Sequence, residues 1–149
     1  MNVDFITAIK MYFANYANFN GRSTRAEYWW AMLFTFLVGA ILGYIGSKWL
    51  ESLVSLLLIV PTYAVMTRRF HDIGKSGWWV LKLAVIGAIA GLLIGLSIVL
   101  MIKSAVLGII FLVFGIAICI AVAAVQIIWL CKPSVPDNEY GPCPYPDEL

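Results

Sequence analysis

The amino-acid composition indicates a protein whose solvent is the lipid bilayer, because 62% of the 149 residues are hydrophobic and only 12% are charged, with a formal net charge of +2. That charged fraction is about half the roughly 25% of a soluble domain, and a water-soluble fold of this length cannot bury so much apolar surface. The composition therefore excludes a soluble enzyme, a disordered tail, a coiled coil and a nucleic-acid-binding module that acts through a basic surface.

The chain begins with a predicted amphipathic helix, residues 3–18. Its aromatic and aliphatic side chains recur at helical spacing, while Asp4, Thr7 and Lys10 fall mostly on the other side. The helix is expected either to lie at the inner membrane surface or to cap the cytoplasmic end of the other helices. The segment lacks a charged start followed by an apolar core, so we expect no cleavable signal peptide and an uncleaved first span.

Uncharged apolar runs predict four transmembrane helices. A helix needs roughly 20 residues to cross a hydrocarbon core of about 30 Å. One continuous helix through the third and fourth runs would be roughly 70 Å long, so the chain must turn near Lys103, between Met101 and Gly108. Pro61 is expected to kink the second span or to thin its inner half. The predicted spans are residues 28–47, 50–67, 80–101 and 107–130.

Strand-like alternation of apolar and polar residues is absent, which excludes a membrane β-barrel. The predicted fold is therefore an all-α integral membrane protein, with four transmembrane helices in two hairpins and the short interfacial helix before them. With both termini on one side, eight of the ten basic residues lie on that side, and Lys48 and Lys103 lie opposite. The positive-inside rule then puts both termini, including the tail at residues 131–149, in the cytoplasm of a multi-pass plasma-membrane protein.

Glycines spaced by four residues form small faces on two of the predicted spans. Such faces let helix backbones approach closely in lipid. We expect them to pack inside the protein, with a homodimer seam as the alternative. The glycines are Gly39 and Gly43 on the first span and Gly87, Gly91 and Gly95 on the third.

Cysteine and histidine usage predicts neither a disulfide framework nor a metal site. Cys131 and Cys143 are separated by eleven residues, and His71 is the single histidine. No cofactor motif is present. The predicted spans also lack an ionisable group at mid-depth, which is unfavourable for a proton-coupled transporter.

Two polar segments carry the candidate functional residues. They run from Asn20 to Trp30 and from Arg68 to Trp79, and each places two arginines and an acid ahead of a Trp-Trp pair that opens an apolar run. The tryptophans Trp29, Trp30, Trp78 and Trp79 are expected to be interfacial anchors. We refer to the other candidates as the polar cluster: Arg22, Arg25, Glu27, Arg68, Arg69, His71, Asp72, Lys75 and Ser76.

Together with an Asn-x-Tyr-Gly motif at residues 138–141 of the proline-rich tail, these segments resemble the DUF 805 family of small bacterial inner-membrane proteins. The likeness extends over residues 19–144. It departs from the family pattern at Phe70, where leucine is expected, at Lys75, where arginine is frequent, and in the absence of a glycine before Asn138. The resemblance implies a multi-spanning inner-membrane protein of bacteria, and it implies no activity because the family has none assigned.

The polar cluster has a structural interpretation. Cations suit the C-terminal end of a helix and lie near anionic headgroups, glycines at 74 and 77 permit a tight turn, and Ser76 can cap the following helix. Glu27 is expected to find one of the four guanidinium groups, preferably in a bidentate pair that locks the two hairpins together. His71 beside Asp72 is typical of a local hydrogen-bonded turn.

The alternative is a binding site, in which the four arginines, Lys75 and backbone N–H groups hold the phosphate of a lipid headgroup or of a soluble anion. His71 would then be a pH-sensitive contact.

Three functional hypotheses follow. The preferred one is a non-enzymatic membrane protein whose polar cluster is a structural latch or binds anionic phospholipid headgroups or a membrane-protein partner. The second is a component of a small transporter or channel. The third, a lipid-phosphate enzyme using His71 and Asp72 in acid–base roles, is the weakest, because no P-loop, zinc helix motif or nucleophile elbow is present.

Overall fold

The computed structural model describes residues 3–144, and within that range the protein is helical, with no β-strand. Four of its helices, α2 to α5, are long and apolar enough to cross a bilayer. The predicted all-α membrane fold is therefore confirmed. In chain order the helices are α1 (Phe5–Ala14), α2 (Arg25–Ile45), α3 (Lys48–Asp72), α4 (Trp78–Lys103) and α5 (Ala105–Leu130).

The chain divides into two compact units. The first, which we call the three-helix unit, is discontinuous in sequence and comprises Met1–Gly77 and Lys132–Leu149, so it holds α1, α2, α3 and the tail. The second, which we call the hairpin unit, is Trp78–Cys131 and holds α4 and α5. Residues 145–149 of the predicted cytoplasmic tail lie outside the described residues.

The helix ends follow local capping chemistry. The Thr24 side chain accepts a hydrogen bond from the Glu27 amide at 3.2 Å and begins α2. Gly46 ends α2 in the left-handed region, at φ 76°, which glycine adopts without steric cost. Ser104 separates α4 from α5, and its hydroxyl accepts a hydrogen bond from the Leu107 amide. The chain thus turns within the segment that the sequence predicted.

The helix α3 continues to Asp72, beyond the predicted span of residues 50–67. The sequence placed Arg68 and Arg69 at the C-terminal end of this helix, within reach of anionic headgroups. In the structure Arg68, Arg69 and Asp72 are buried and hydrogen-bonded within the protein. Since their charges are met internally, the backbone stays helical for another turn.

The first helix packs against α2 and α3. Tyr12 is fully buried, and its hydroxyl lies 2.8 Å from Thr62 Oγ1 and 3.2 Å from the Leu58 carbonyl oxygen. Phe5 meets Trp30 edge to face, with 5.6 Å between ring centroids. One face of α1 is therefore a protein contact, while Ile6 on the opposite side is exposed.

A second tyrosine of this region compensates for a proline inside α3. Pro61 lacks an N–H, so the carbonyl of Leu57, four residues earlier, loses its helical donor. The Tyr16 phenol donates a hydrogen bond to that carbonyl oxygen. A free carbonyl inside a bilayer is costly because lipid offers no donor, and Tyr16 supplies the missing one.

Close contact between α4 and α5 depends on two glycines of α5. A Cβ atom at Gly115 would lie 2.6 Å from Ile94 Cγ1 and 3.1 Å from the Ala90 carbonyl oxygen. A Cβ at Gly108 would meet the Met101 side chain at 2.3 Å. These positions accept only hydrogen, as expected where helix backbones approach in lipid.

The spaced glycines do not form packing faces within either unit. A Cβ atom added at any of them meets no atom of its own unit within 4 Å. The periodic spacing therefore does not mark a close contact there, whereas Gly108 and Gly115, seven residues apart, do. The glycines concerned are Gly39, Gly43, Gly87, Gly91 and Gly95.

Candidate functional site

The polar cluster forms inside the three-helix unit. Its side chains come from the segment before α2, the first turn of α2, the end of α3 and the connection to α4. The tail supplies hydrogen-bond partners, and backbone bonds hold these segments side by side. The Ser23 amide donates to the Arg68 carbonyl at 3.2 Å, and the Val135 amide donates to the Asp72 carbonyl at 3.0 Å. Residues separated by more than 100 positions in sequence, such as Arg22 and Val135, thus become neighbours.

Glu27 and Arg68 form a buried ion pair. Glu27 is 2% exposed and Arg68 3%, and Arg68 Nη2 lies 3.0 Å from Glu27 Oε1. Arg68 Nε donates to Ser23 Oγ at 2.9 Å, and Nη1 donates to the carbonyl oxygens of Asn15 and Asn18. The guanidinium therefore joins the α1–α2 connection to the end of α3.

The expected partner of Glu27 is confirmed, but the expected role is wrong in one respect. A pair between the two predicted hairpins was preferred, whereas Glu27 lies on α2 and Arg68 on α3, which belong to the same hairpin. Arg68 also spreads its donors over a hydroxyl, a carboxylate and two carbonyls. The guanidinium thus connects several chain segments and does not form a bidentate pair with one carboxylate.

Asp72 is the centre of the second half of the cluster and is fully buried. Its Oδ1 accepts from Arg22 Nε at 3.0 Å. Its Oδ2 accepts from Arg69 Nη1 and from Ser134 Oγ, the latter at 2.6 Å. Charge-assisted bonds of this kind are the strong ones in proteins, and here they connect α3 to both the segment before α2 and the tail.

Arg22 has all five of its guanidinium N–H donors engaged. Nε donates to the carboxylate of Asp72, and Nη2 to the backbone carbonyls of Asp72 and Val135. Nη1 donates to the carbonyls of Pro136 and Gly141, at 3.0 and 3.1 Å. No donor of this side chain remains for an anion, and its side chain is only 2% exposed.

The Asn-x-Tyr-Gly motif of the tail folds onto His71. The Asn138 amide donates to the His71 carbonyl at 2.9 Å, and the Tyr140 ring stacks on the imidazole, with centroids 3.8 Å apart and 4° between planes. His71 Nδ1 lies 3.1 Å from the Gly21 carbonyl oxygen. His71 therefore bridges the segment before α2 and the tail, and it does not pair with the neighbouring Asp72 carboxylate, which is bonded to Arg22, Arg69 and Ser134.

The three remaining predicted site residues are Arg25, Lys75 and Ser76. Arg25 is the first residue of α2, and Lys75 and Ser76 lie between α3 and α4; all three are partly exposed. The Ser76 hydroxyl hydrogen-bonds to the Tyr140 phenol, and the hydrogen bond of that phenol with the Glu139 side chain raises the pKa of Tyr140.

The predicted anchors differ in their surroundings. Trp29, Trp30 and Trp78 are exposed, as an aromatic belt requires. The Trp30 indole N–H also donates to the Val3 carbonyl at 3.1 Å, which fixes the start of α1. In the hairpin unit Trp79 packs edge to face on Trp129, with centroids 5.0 Å apart.

Internal pairing is complete across the described residues. Among residues 3–144 no buried side-chain nitrogen or oxygen lacks a hydrogen-bond partner. Two carboxylates meet three buried guanidinium groups, and backbone carbonyls compensate for the remaining positive charge. Within the same range, no group of three or more His, Cys, Asp and Glu side chains is arranged to hold a metal ion.

Sequence reasoning missed the neutral partners of the arginines. These are the hydroxyl of Ser23 and the carbonyls of Val135, Pro136 and Gly141. The donation of the Ser134 hydroxyl to Asp72 was missed as well. Backbone carbonyls leave no signal in composition. The tail motif at residues 138–141 was the available signal, because it is the polar part of the tail within the family resemblance.

Four apolar helices and a buried, internally paired charge cluster define an integral membrane protein. The chain belongs to the family described as proteins of unknown function, DUF805, whose family model matches residues 16–142. The recognition made from the sequence motifs is thereby confirmed. The family description assigns no activity.

The chain is similar to two proteins of Escherichia coli strain K12 whose names give their location, the inner membrane. The inner membrane protein YhaH is 39% identical over 77 residues, which cover 45% of this chain and 64% of YhaH. The inner membrane protein YhaI is 38% identical over 73 residues, which cover 45% of this chain and 62% of YhaI. The chain thus spans less than two thirds of either relative. No solved structure matches it significantly.

Proposed function

We propose that this protein is a non-enzymatic inner-membrane protein and that the polar cluster is a structural latch, which fastens α1, α2, α3 and the tail to one another. The saturation of Arg22 carries the proposal. A binding site for a phosphate needs vacant donors, and each N–H of this guanidinium already has an acceptor within the three-helix unit.

The energetics favour the same function. Breaking a buried charged network by removing one member typically costs about 3–5 kcal/mol, because the partner is left buried and unpaired. An anion that competed for Arg22 would have to displace the Asp72 carboxylate and several carbonyls at once. The cluster therefore stabilises one arrangement of the segments and does not accept a ligand in exchange.

Replacement of Arg22 by glutamine tests the latch. We expect Arg22→Gln to lower the free energy of unfolding in mixed micelles by about 3 kcal/mol and to make the tail susceptible to limited proteolysis. The matched control is Lys48→Gln, which removes one member of the exposed Lys48–Glu51 pair and should change little. Unchanged stability in Arg22→Gln, together with loss of bound phosphatidylglycerol, would instead identify the cluster as a headgroup site.

We also propose that both chain termini, and with them the polar cluster, face the cytoplasm. Eight of the ten basic residues lie on that side, and Lys48 and Lys103 lie on the other, as the positive-inside rule requires. The test is a single cysteine at position 103, in a chain whose Cys119, Cys131 and Cys143 are replaced by serine. A membrane-impermeant maleimide should label it in intact spheroplasts. Labelling that occurs only after lysis would reverse the orientation.

A further inference from the structure

We infer that the beginning of α4 carries a binding site for one anionic phospholipid, with the lipid phosphate at the Lys82 ammonium and an acyl chain along the adjacent helix face. The site is built from residues of the hairpin unit and shares no residue with the polar cluster. It does not depend on the latch.

The hairpin unit contains no carboxylate that could pair with its two cations. The sequence from Trp78 to Cys131 contains two cations, Lys82 and Lys103, and no aspartate or glutamate. Neither ammonium can therefore be neutralised by a carboxylate of its own unit. Lys82 lies one turn after the first residue of α4, where the headgroups of anionic lipids supply negative charge.

The Lys82 ammonium is held in place by aromatic side chains. Its Nζ lies 4.6 Å from the centroid of the Trp79 ring, within the range of a cation–π contact. The Trp79 ring is itself fixed by Trp129 of α5, which meets it at 83°. A charge positioned in this way loses less conformational entropy on binding than a freely rotating lysine side chain.

A groove continues from this ammonium along α4. It has a volume of about 380 Å³, and it is lined by Trp78, Trp79, Leu81, Lys82, Val85 and Ile86. These positions repeat every three to four residues, so the groove follows the helix axis. A helix that crosses the membrane aligns such a groove with the acyl chains, while Lys82 remains at the end where the phosphate lies.

The other lysine provides a matched control. Lys103 is the last residue of α4, at the opposite end of the helix from Lys82. The four residues on either side of it in sequence include no aromatic residue. A general attraction between cations and anionic lipid would act on both lysines, whereas a built site acts at Lys82 alone.

Native mass spectrometry of the purified full chain in a non-ionic detergent tests the site. The protein is titrated with dioleoylphosphatidylglycerol and, separately, with dioleoylphosphatidylcholine. We expect Lys82→Gln to raise the dissociation constant of the first phosphatidylglycerol about five-fold, and Lys82→Arg to retain wild-type binding. Trp79→Leu should weaken binding to a smaller extent. Lys103→Gln should bind as the wild type, and phosphatidylcholine should bind all variants equally.

Three results would overturn the inference. The first is that Lys82→Gln binds phosphatidylglycerol as tightly as the wild type. The second is that Lys103→Gln weakens this binding as much as Lys82→Gln does. The third is that Lys82→Gln weakens the binding of phosphatidylglycerol and of phosphatidylcholine to the same extent. Thermal unfolding of each variant, followed by tryptophan fluorescence, shows that it is folded, and Lys82→Arg carries the test should Lys82→Gln unfold. The latch is tested through the stability of Arg22→Gln, so either proposal can fail without the other.

Discussion

Asp72 and Glu51 show how differently the same chemical group contributes in the two settings of this protein. Asp72 is fully buried and accepts bonds from Arg22, Arg69 and Ser134. Glu51 pairs with Lys48 at 3.3 Å, but the lysine side chain is 89% exposed. Water and salt screen the second pair, which contributes little. The carboxylate of Asp72, in contrast, hydrogen-bonds to side chains from three chain segments and stabilises their packing.

The Tyr16 hydroxyl has a single identifiable role, so its removal gives a clean prediction. Tyr16→Phe should lower the free energy of unfolding by about 1 kcal/mol, the usual size of a hydrogen bond inside a membrane protein. The physical reason is that the Leu57 carbonyl then has no donor, because Pro61 cannot provide one. Equilibrium unfolding in mixed micelles measures the change, and Tyr44→Phe, at a residue that is 95% exposed, is the control.

A double-mutant cycle distinguishes this role from general packing. Pro61→Ala restores an N–H at position 61, which can donate to the Leu57 carbonyl. In that background Tyr16→Phe should cost much less than in the wild type. An equal cost in both backgrounds would mean that the Tyr16 hydroxyl stabilises the protein through something other than the proline-freed carbonyl.

At the scale of the helices, the existence of each element was predictable and its environment was not. Uncharged runs of about 20 residues are sufficient to predict spanning helices, and α2 to α5 bear this out. Arg68 and Arg69 were expected at the end of α3, but their burial was not predictable, because the groups that pair their charges come from other chain segments. The pairing of Glu27 with an arginine could be predicted from charge alone, whereas the choice of Arg68 depends on tertiary contacts.

The glycines show the same limit. Spacing by four residues gives the same sequence signal whether or not a neighbouring helix is present, so it pointed to Gly91 and passed over Gly115. Only the packing of α4 on α5 shows that Gly115 faces a backbone carbonyl and that Gly91 faces open space within its unit.

Alanine substitution at these glycines turns that difference into a prediction. Gly115→Ala should destabilise the hairpin unit by about 1–3 kcal/mol, because the new methyl group overlaps Ile94 and the Ala90 carbonyl. Gly91→Ala should be neutral or slightly stabilising, since it meets nothing in its unit and alanine favours a helix. Hydrogen exchange in α4 and α5 reports the effect; equal effects of the two substitutions would contradict the packing described.

For the whole molecule, the discontinuity of the three-helix unit matters most. Its two parts are separated in sequence by the complete hairpin unit. The tail joins the first part through the Val135–Asp72 backbone bond, the Ser134 hydroxyl and the acceptors of Arg22. The tail is thus a structural component of the N-terminal half.

Removal of the tail should therefore affect the two units unequally. A chain that ends after Cys131 should exchange amide hydrogens faster throughout α1, α2 and α3, because Arg22, Arg69 and Asp72 lose partners. The hairpin unit should keep its exchange pattern. Hydrogen–deuterium exchange measured by mass spectrometry compares the two units in one experiment, with a chain that ends after Pro144 as the control. A uniform increase over both units would contradict the division.

The acceptors for Arg22 come from Val135, Pro136 and Gly141, which leave the ribosome only after all four spanning helices have been synthesised. During translation the guanidinium of Arg22 and the carboxylate of Asp72 remain without their tail partners, and partly hydrated, while the hairpin is inserted. A polypeptide that ends before Val135 therefore lacks these acceptors and leaves part of the Arg22 guanidinium without internal partners.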